Sequence, residues 1–270
     1  MATVTPSTAR RPRAYVRVQG TDAADFLQRM VSNDVLAGAS VDALLLTAKA
    51  KVIAPVLVWR RGVDDFLLLT EPELGDVVVS HLTRMRFAAK CEIALEEHTS
   101  VIVFEPTCIP NGDHGIPNRD YGIPALEVLD VALDVTLADD ELERLRIEAG
   151  TPRFGRELDD RVLPAEAGLD ERAISFSKGC YPGQEPVARQ HHRGKVNRKL
   201  RVLEVDGDAA PAETPVVHGE KEVGRVTSAV PGLALAYVRV EVPEDATLDV
   251  GGRPARLKIS TATLAGSLRP

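Results

Sequence analysis

The chain has 270 residues, 44% of them hydrophobic and 27% charged, with a formal net charge of −7 and a sequence pI near 5.5. This is the composition of an ordinary globular protein, long enough for one large domain or two to three small ones. The acidic balance argues against a loose grip on nucleic acid, which needs a basic surface, and no apolar run is long enough for a membrane-spanning helix.

Residues 1–10 are polar and read as disordered. "AYVRVQG" alternates and ends at Gly20, as a strand and its turn do. A helix is expected next, with Thr21 as N-cap and an apolar stripe of Phe26, Leu27, Met30 and Val31. "ALLLT", "KVIAPVLVWRR" and "DFLLLTE" read as strands, and Pro55 places the second at an edge or a bulge. "ELGDVVVSHLTRMRF" has helical spacing, and "CEIALEEH" and "VIVFE" return to strand. The stretch 106–124, rich in Pro, Gly, Asn and Asp, reads as a loop. "ALEVLDV" reads as a strand, and "ADDELERLRIEAG" as a helix with Leu142, Leu145 and Ile147 on its apolar side and Gly150 as its stop. After Lys195 only short strands follow, which predicts a small β-barrel.

Two segments carry candidate chemistry. In "KGCYPGQEPVAR", Cys180 stands between Gly179 and Gly183, beside Lys178, just before an expected short helix "EPVARQHHR". A helix N-terminus and a nearby ammonium both favour a thiolate, so Cys180 and Lys178 are the candidate catalytic pair. The three cysteines form no C-x-x-C pair and no disulfide framework, so a reducing cytoplasm is expected and no resident metal. The start "MATVTPSTARRPRAYV" has no apolar core of the secretory kind. In "LRIEAGTPRFGREL", Glu148 ends a helix, where the dipole disfavours a carboxylate. Such a group suits a ligand edge with adjacent N–H donors. "RQHHRGKVNRKLR", residues 189–201, holds six Lys or Arg and no acid, a solvated connector or a cradle for an anionic tail.

"KGCYPGQE", from Lys178 to Glu185, resembles the K-G-C-[FY]-x-G-Q-E signature of the YgfZ-like folate-binding proteins. "RIEAGTPRFGREL" and "RGKVNRKL" fit the same family. "RVQGTDAADFLQRMVSNDV" and "GRVTSAV…LALAYV" resemble the wider aminomethyltransferase superfamily, which includes the glycine cleavage T-protein. The resemblance implies an α+β fold of two interleaved lobes and a C-terminal β-barrel around a central folate site. The expected division is 1–45 with 106–195 as the first lobe, 46–105 as the second and 196–270 as the barrel. It implies tetrahydrofolate or a one-carbon derivative as cofactor, with Glu148 on the pterin edge and Tyr181, Gln184 and Arg189 beside it. It also implies a part in making or repairing iron–sulfur enzymes, with iron–sulfur client proteins as partners and Cys180 as the key residue. A monomer is expected, with neither nucleic acid nor membrane as partner. T-protein-like transferases carry an acidic pair where this chain has Ala54 and Pro55, so folate-dependent one-carbon transfer is the alternative rather than the leading expectation.

Overall fold

The computed structural model describes residues 7–106, 115–194 and 196–258. Three sheets organise it. The first comprises β2 (Ala14–Gln19), β3 (Ser40–Leu46), β4 (Val52–Arg60), β5 (Asp65–Thr70) and β6 (Glu92–Glu96), in the order β3-β4-β5-β2-β6. Its adjacent strands are antiparallel, so period-2 alternation gives it two distinct faces. One face packs Val16, Val18, Leu45, Ala54 and Leu68 against α1 (Ala23–Met30) and α2 (Gly75–Met85). The other packs Tyr15, Leu57, Leu67 and Leu69 towards the second sheet.

The second sheet comprises β1 (Thr8–Arg10), β7 (Ser100–Phe104), β8 (Ile116–Asn118) and β9 (Ala125–Leu129), in the order β1-β7-β9-β8. Leu142 of α3 (Asp139–Glu148) packs with Ile102 and Phe104 of this sheet. Ile147, on the same helix, packs with Val230, Leu233 and Leu235 of the barrel. The barrel is closed, in the order β10-β13-β12-β11-β14-β15: β10 (Arg198–Val205), β11 (Pro215–His218), β12 (Lys221–Val230), β13 (Leu233–Arg239), β14 (Thr247–Val250) and β15 (Pro254–Leu257). The irregular stretch 151–183 buries Leu158, Val162 and Leu169 with Leu44 and Leu46 of the first sheet and Tyr237 of the barrel. The elements thus close into a ring.

Several expectations are corrected. Residues 8–10 are not disordered: they pair with β7, in the register Ala9↔Ile102. The N-cap of α1 is Asp22, not Thr21. The chain turns at Gly20, and the Asp22 carboxylate accepts Lys90 N–H at 2.8 Å, which anchors the helix start one residue later. Pro55 lies on an internal strand, but the β4–β5 ladder covers only Leu57–Arg60. Beyond it β5 reaches Pro55 through the Thr70 hydroxyl, 2.7 Å from its carbonyl, so the missing N–H breaks no ladder bond to β5. The 106–124 stretch contains β8, while 107–114 lie outside the described residues. The expected boundary at 45/46 falls inside β3, whose pairing with β4 makes 14–96 one lobe. The interleaving lies elsewhere: β1 precedes that lobe but belongs to the second sheet.

Candidate functional site

The inner face of the first sheet, the second sheet and the 151–173 stretch enclose a cleft holding about 700 Å³ of open space, mouth included. Alternation points Asp42 and Leu44 of β3 and Pro55 and Leu57 of β4 to the same side, since Asp42 lies opposite Leu57 and Leu44 opposite Pro55. Ala54 packs with the helices instead, so of the two positions where the relatives' acids would stand only Pro55 faces the cleft.

Arginines line the facing walls, and most are neutralised. Arg11 makes two bonds to Glu71, at 3.0 and 2.7 Å, and Arg13 two to buried Glu127, at 3.1 and 3.0 Å. Asp120 lies between Arg13, at 3.3 Å, and Arg172, at 2.8 Å. Burial pushes its carboxyl up, but the two cations outweigh that and hold it at about 2. Arg146 makes two bonds to Glu143 and reaches the Thr151 carbonyl, at 2.6 Å, and buried Glu157, at 3.0 Å. Glu157 also accepts from Ser228 Oγ of the barrel at 2.6 Å and from Arg153 N–H at 3.0 Å.

Two groups on these walls remain poorly partnered among the described residues. The Arg153 guanidinium touches only Glu143, at 3.4 Å, and its Nε is buried with no partner. Burial and the neighbouring Arg11 hold it below the ordinary arginine value. The Asp42 carboxylate, 17% exposed, has Arg172 Nε as its only ion-pair contact, at 3.9 Å. Burial raises its pKa, with Arg172 opposing.

Cys180 is exposed and unpaired at the approach to α4 (Gln184–Arg193), whose N-cap is Gly183. Cys91 is buried, with its thiol pushed up by that burial, and Cys108 lies outside the described residues. Lys178 does not pair with the Cys180 sulfur. Its Nζ donates to the Val31 and Asn33 carbonyls, both at 2.8 Å, and lies 5.4 Å from the Tyr181 ring centroid. The lysine anchors the loop because those carbonyls, left free past the end of α1, are the acceptors within its reach. Asn33 in turn donates to the carbonyls of Asp42, at 2.8 Å, and Arg172, at 3.0 Å. A hydrogen-bonded chain therefore connects the cysteine loop to the cleft wall.

Burial lowers Lys178 to about 8, with Asp34 opposing. The folded protein sheds this proton before the unfolded chain does. The group's contribution is full above the ordinary 10.5 and lost as pH falls through about 8, so stability should rise with pH between those values. Lys178→Met should flatten that segment in urea-midpoint measurements across the range.

The predicted cofactor residues are not all brought together. Glu148 is 46% exposed, paired with Lys258 next to the barrel, and does not line the cleft. At about 100° per residue, Leu142, Arg146 and Ile147 form the buried face of α3 and Glu148 is carried off it. Tyr181 is buried beside the cleft floor with Leu44 and Leu46. Its hydroxyl has no partner and burial pushes it up to about 12. Gln184 opens α4, half-buried, and Arg189 is exposed on that helix; neither lines the cleft. In the basic stretch, Arg198 pairs with Glu166, at 3.2 Å, and Arg201 with Glu244, at 3.4 Å, which blunts its charge. No cluster of three metal-ligating side chains occurs among the described residues. Sequence reasoning missed Arg11, Asp42, Arg146, Arg153 and Glu157. For Arg146 a signal existed, since it lies one helical turn from Leu142.

This ring of two sheets and a barrel is the aminomethyltransferase T fold. The crystal structure of glycine cleavage system aminomethyltransferase T from Bartonella henselae superposes with a TM-score of 0.76, at 18% identity, covering 95% of this chain and 86% of that one. Residues 197–263 match the family described as CAF17, C-terminal beta-barrel domain. An uncharacterized protein of Haemophilus influenzae is 27% identical over 246 residues, covering 85% of this chain and 86% of its own. An "iron-sulfur cluster assembly factor IBA57 homolog, mitochondrial" of Pyricularia oryzae is 26% identical, covering 92% of this chain and 75% of its own. The barrel match, the relatives along most of the chain and the fold neighbour agree in supporting aminomethyltransferase-like, iron–sulfur assembly-type proteins as what this chain is similar to.

Proposed function

We propose that this protein binds tetrahydrofolate and serves iron–sulfur cluster assembly or repair in a reducing cytoplasm through Cys180. The observation that carries the reading is the placement of that thiol. It is exposed, on a loop tied by Lys178 and Asn33 to the wall of a deep cleft. The assembly role is supported by the Pyricularia relative, an iron–sulfur cluster assembly factor homolog. The cleft suits folate: Leu44, Pro55, Leu57 and Leu69 offer an apolar wall to a flat ring system, and Arg153 offers an unmet donor to a carboxylate tail. Tetrahydrofolate, when bound, carries one-carbon units. The chain's own residues orient it, shield it and hold the thiol at a fixed place relative to it. A thiolate there offers a sulfur ligand to a cluster in transit.

Cys180→Ala should lose rescue of iron–sulfur enzyme activity in cells lacking the native gene, with thermal stability unchanged because the side chain is exposed. Full rescue by the variant would remove the thiol from the mechanism. A second reading, a folate-dependent aminomethyl transferase or demethylase, is favoured by one observation: Asp42 supplies the cleft with a carboxylate despite Ala54 and Pro55. Formation of methylenetetrahydrofolate from a methylamine donor would establish it.

A further inference from the structure

The cysteine loop is tied at both ends to a single strand. β3 is an edge strand of its sheet, with β4 on one side. Residues 31–33 run along its other edge. Ser32 N–H donates to the Leu44 carbonyl at 3.0 Å, and Ser32 Oγ accepts from Leu44 N–H at 2.8 Å. The Asn33 side-chain amide donates to the Asp42 carbonyl at 2.8 Å. The same three residues hold the start of the loop. Lys178 Nζ bonds the Val31 and Asn33 carbonyls, and Ser175 N–H donates to the Ser32 carbonyl at 3.0 Å. At the far end Gly183 presses on the turn that follows β3, where an added Cβ would stand 2.6 Å from the Thr47 carbonyl oxygen. Asp42 and Leu44 of that strand line the cleft. One strand therefore meets the ligand space on its face and the thiol loop on its rim.

Holding the loop in this seat is unfavourable in three ways. Lys178 half-buries an ammonium whose acceptors are two neutral carbonyls, and no carboxylate bonds it among the described residues. Burying charge without a counter-charge costs free energy. Tyr181 buries a hydroxyl with no partner, which forfeits the bond it would make to water. Ala50, in the turn under Gly183, stands at φ +60°, a conformation disfavoured for a residue with a Cβ. When the loop lifts, the ammonium and the hydroxyl regain water and the turn is freed to relax. A lifted state therefore lies near the seated one in free energy, as local openings of a native fold do.

We infer that the cysteine loop is a two-position element, and that a ligand filling the cleft holds it seated through β3 and residues 31–33. The ligand rests on the face of β3 in the position that seats the loop, so it favours that state over the lifted one. The thiol of Cys180 is then offered at one fixed place when the cleft is filled, and on a loose loop when it is empty. The linkage is reciprocal: whatever releases the loop weakens the ligand by the same factor. The inference rests on the folate and thiol reading above and adds its regulation.

The test is hydrogen exchange, with and without tetrahydrofolate under anaerobic conditions, at the amides the seat protects. These are Ser175, Lys178, which donates to Ser175 Oγ at 3.2 Å, and Gln184, which donates to the Tyr181 carbonyl at 3.2 Å. With free ligand at about 100 times its dissociation constant, their exchange should slow by about 100-fold if the lifted state does not bind. In Asn33→Ala, which cuts residues 31–33 from the cleft wall, the slowing at Ser175 and Lys178 should fall below about 10-fold while calorimetry still registers binding. Without ligand, Tyr181→Phe should slow the same amides about 5-fold or more, because the seated state no longer strands a hydroxyl. Binding of tetrahydrofolate to wild type with unchanged exchange at these amides overturns the inference and leaves folate binding standing. Undiminished slowing in Asn33→Ala, or unchanged exchange in Tyr181→Phe, also overturns it. If calorimetry shows no saturable binding to wild type, the folate reading and the inference fall together.

Discussion

Arg146→Met should lower the stability of the protein by about 3–5 kcal/mol, the usual cost of breaking a buried ion pair from one side. Glu157 is fully enclosed, and its charge is tolerated because Arg146, Ser228 and the Arg153 N–H share it. Removing the guanidinium strands that charge and frees the Thr151 carbonyl and Glu143 as well. The knot joins α3, the 151–173 stretch and the barrel, for Tyr237 of the barrel also donates to the Glu157 carbonyl at 2.8 Å. The loss therefore falls on the contact between lobes. The double variant Arg146→Met/Glu157→Gln should recover part of it, because the amide no longer carries the stranded charge. Urea denaturation of the two proteins is the measurement. A cost below about 1 kcal/mol for the single change would mean the knot is not what holds the lobes together.

The second large effect is expected at Gly183. Its φ is +83°, and a Cβ there would stand 2.6 Å from the Thr47 carbonyl oxygen and 3.1 Å from Ala50 Cα, both backbone atoms. Neither can swing aside, so Gly183→Ala must push α4 off the β3–β4 turn in addition to the roughly 1–3 kcal/mol of left-handed strain. The cysteine loop would lose its seat while keeping its thiol. Rescue in cells should fall to the level of Cys180→Ala, and hydrogen exchange should quicken across 178–193. Gly179→Ala is the internal control: nothing lies within 4 Å of its added Cβ, so rescue should persist. Equal behaviour of the two alanine variants would sink the idea that packing, and not flexibility, is what the motif glycine at 183 provides.

Sequence patterns were strong wherever one face of an element is apolar and long enough to repeat. The strands β2 to β5 and the helices α1 to α3 were legible for that reason. β1, β11 and β14, at three or four residues, are too short to show a period, and ladder partners far along the chain hold them in place. The candidate site was half legible. Cys180 announced itself by its neighbours, but Lys178 is spent on carbonyls 147 and 145 residues away, which no local pattern records. The cleft arginines look like ordinary surface charge in sequence, because their acids come from other lobes: Arg13 meets Glu127 across 114 residues. Asp42 was hidden in the opposite way, as one acid at the start of an apolar run. Glu148 stands out in sequence by its place at a helix end, and the rotation of the helix sends it outward.

The position of β1 has a consequence for biosynthesis. Strands 14–96 form one lobe without it, so that lobe can close on the ribosome as soon as it emerges. The partner of β1 is β7, completed only at Phe104. At usual translation speeds the first strand waits roughly 5–20 s, undocked, before its ladder exists. Throughout that interval β1 has no ladder partner, and the ring cannot close until the barrel strands, 198–257, have also been made.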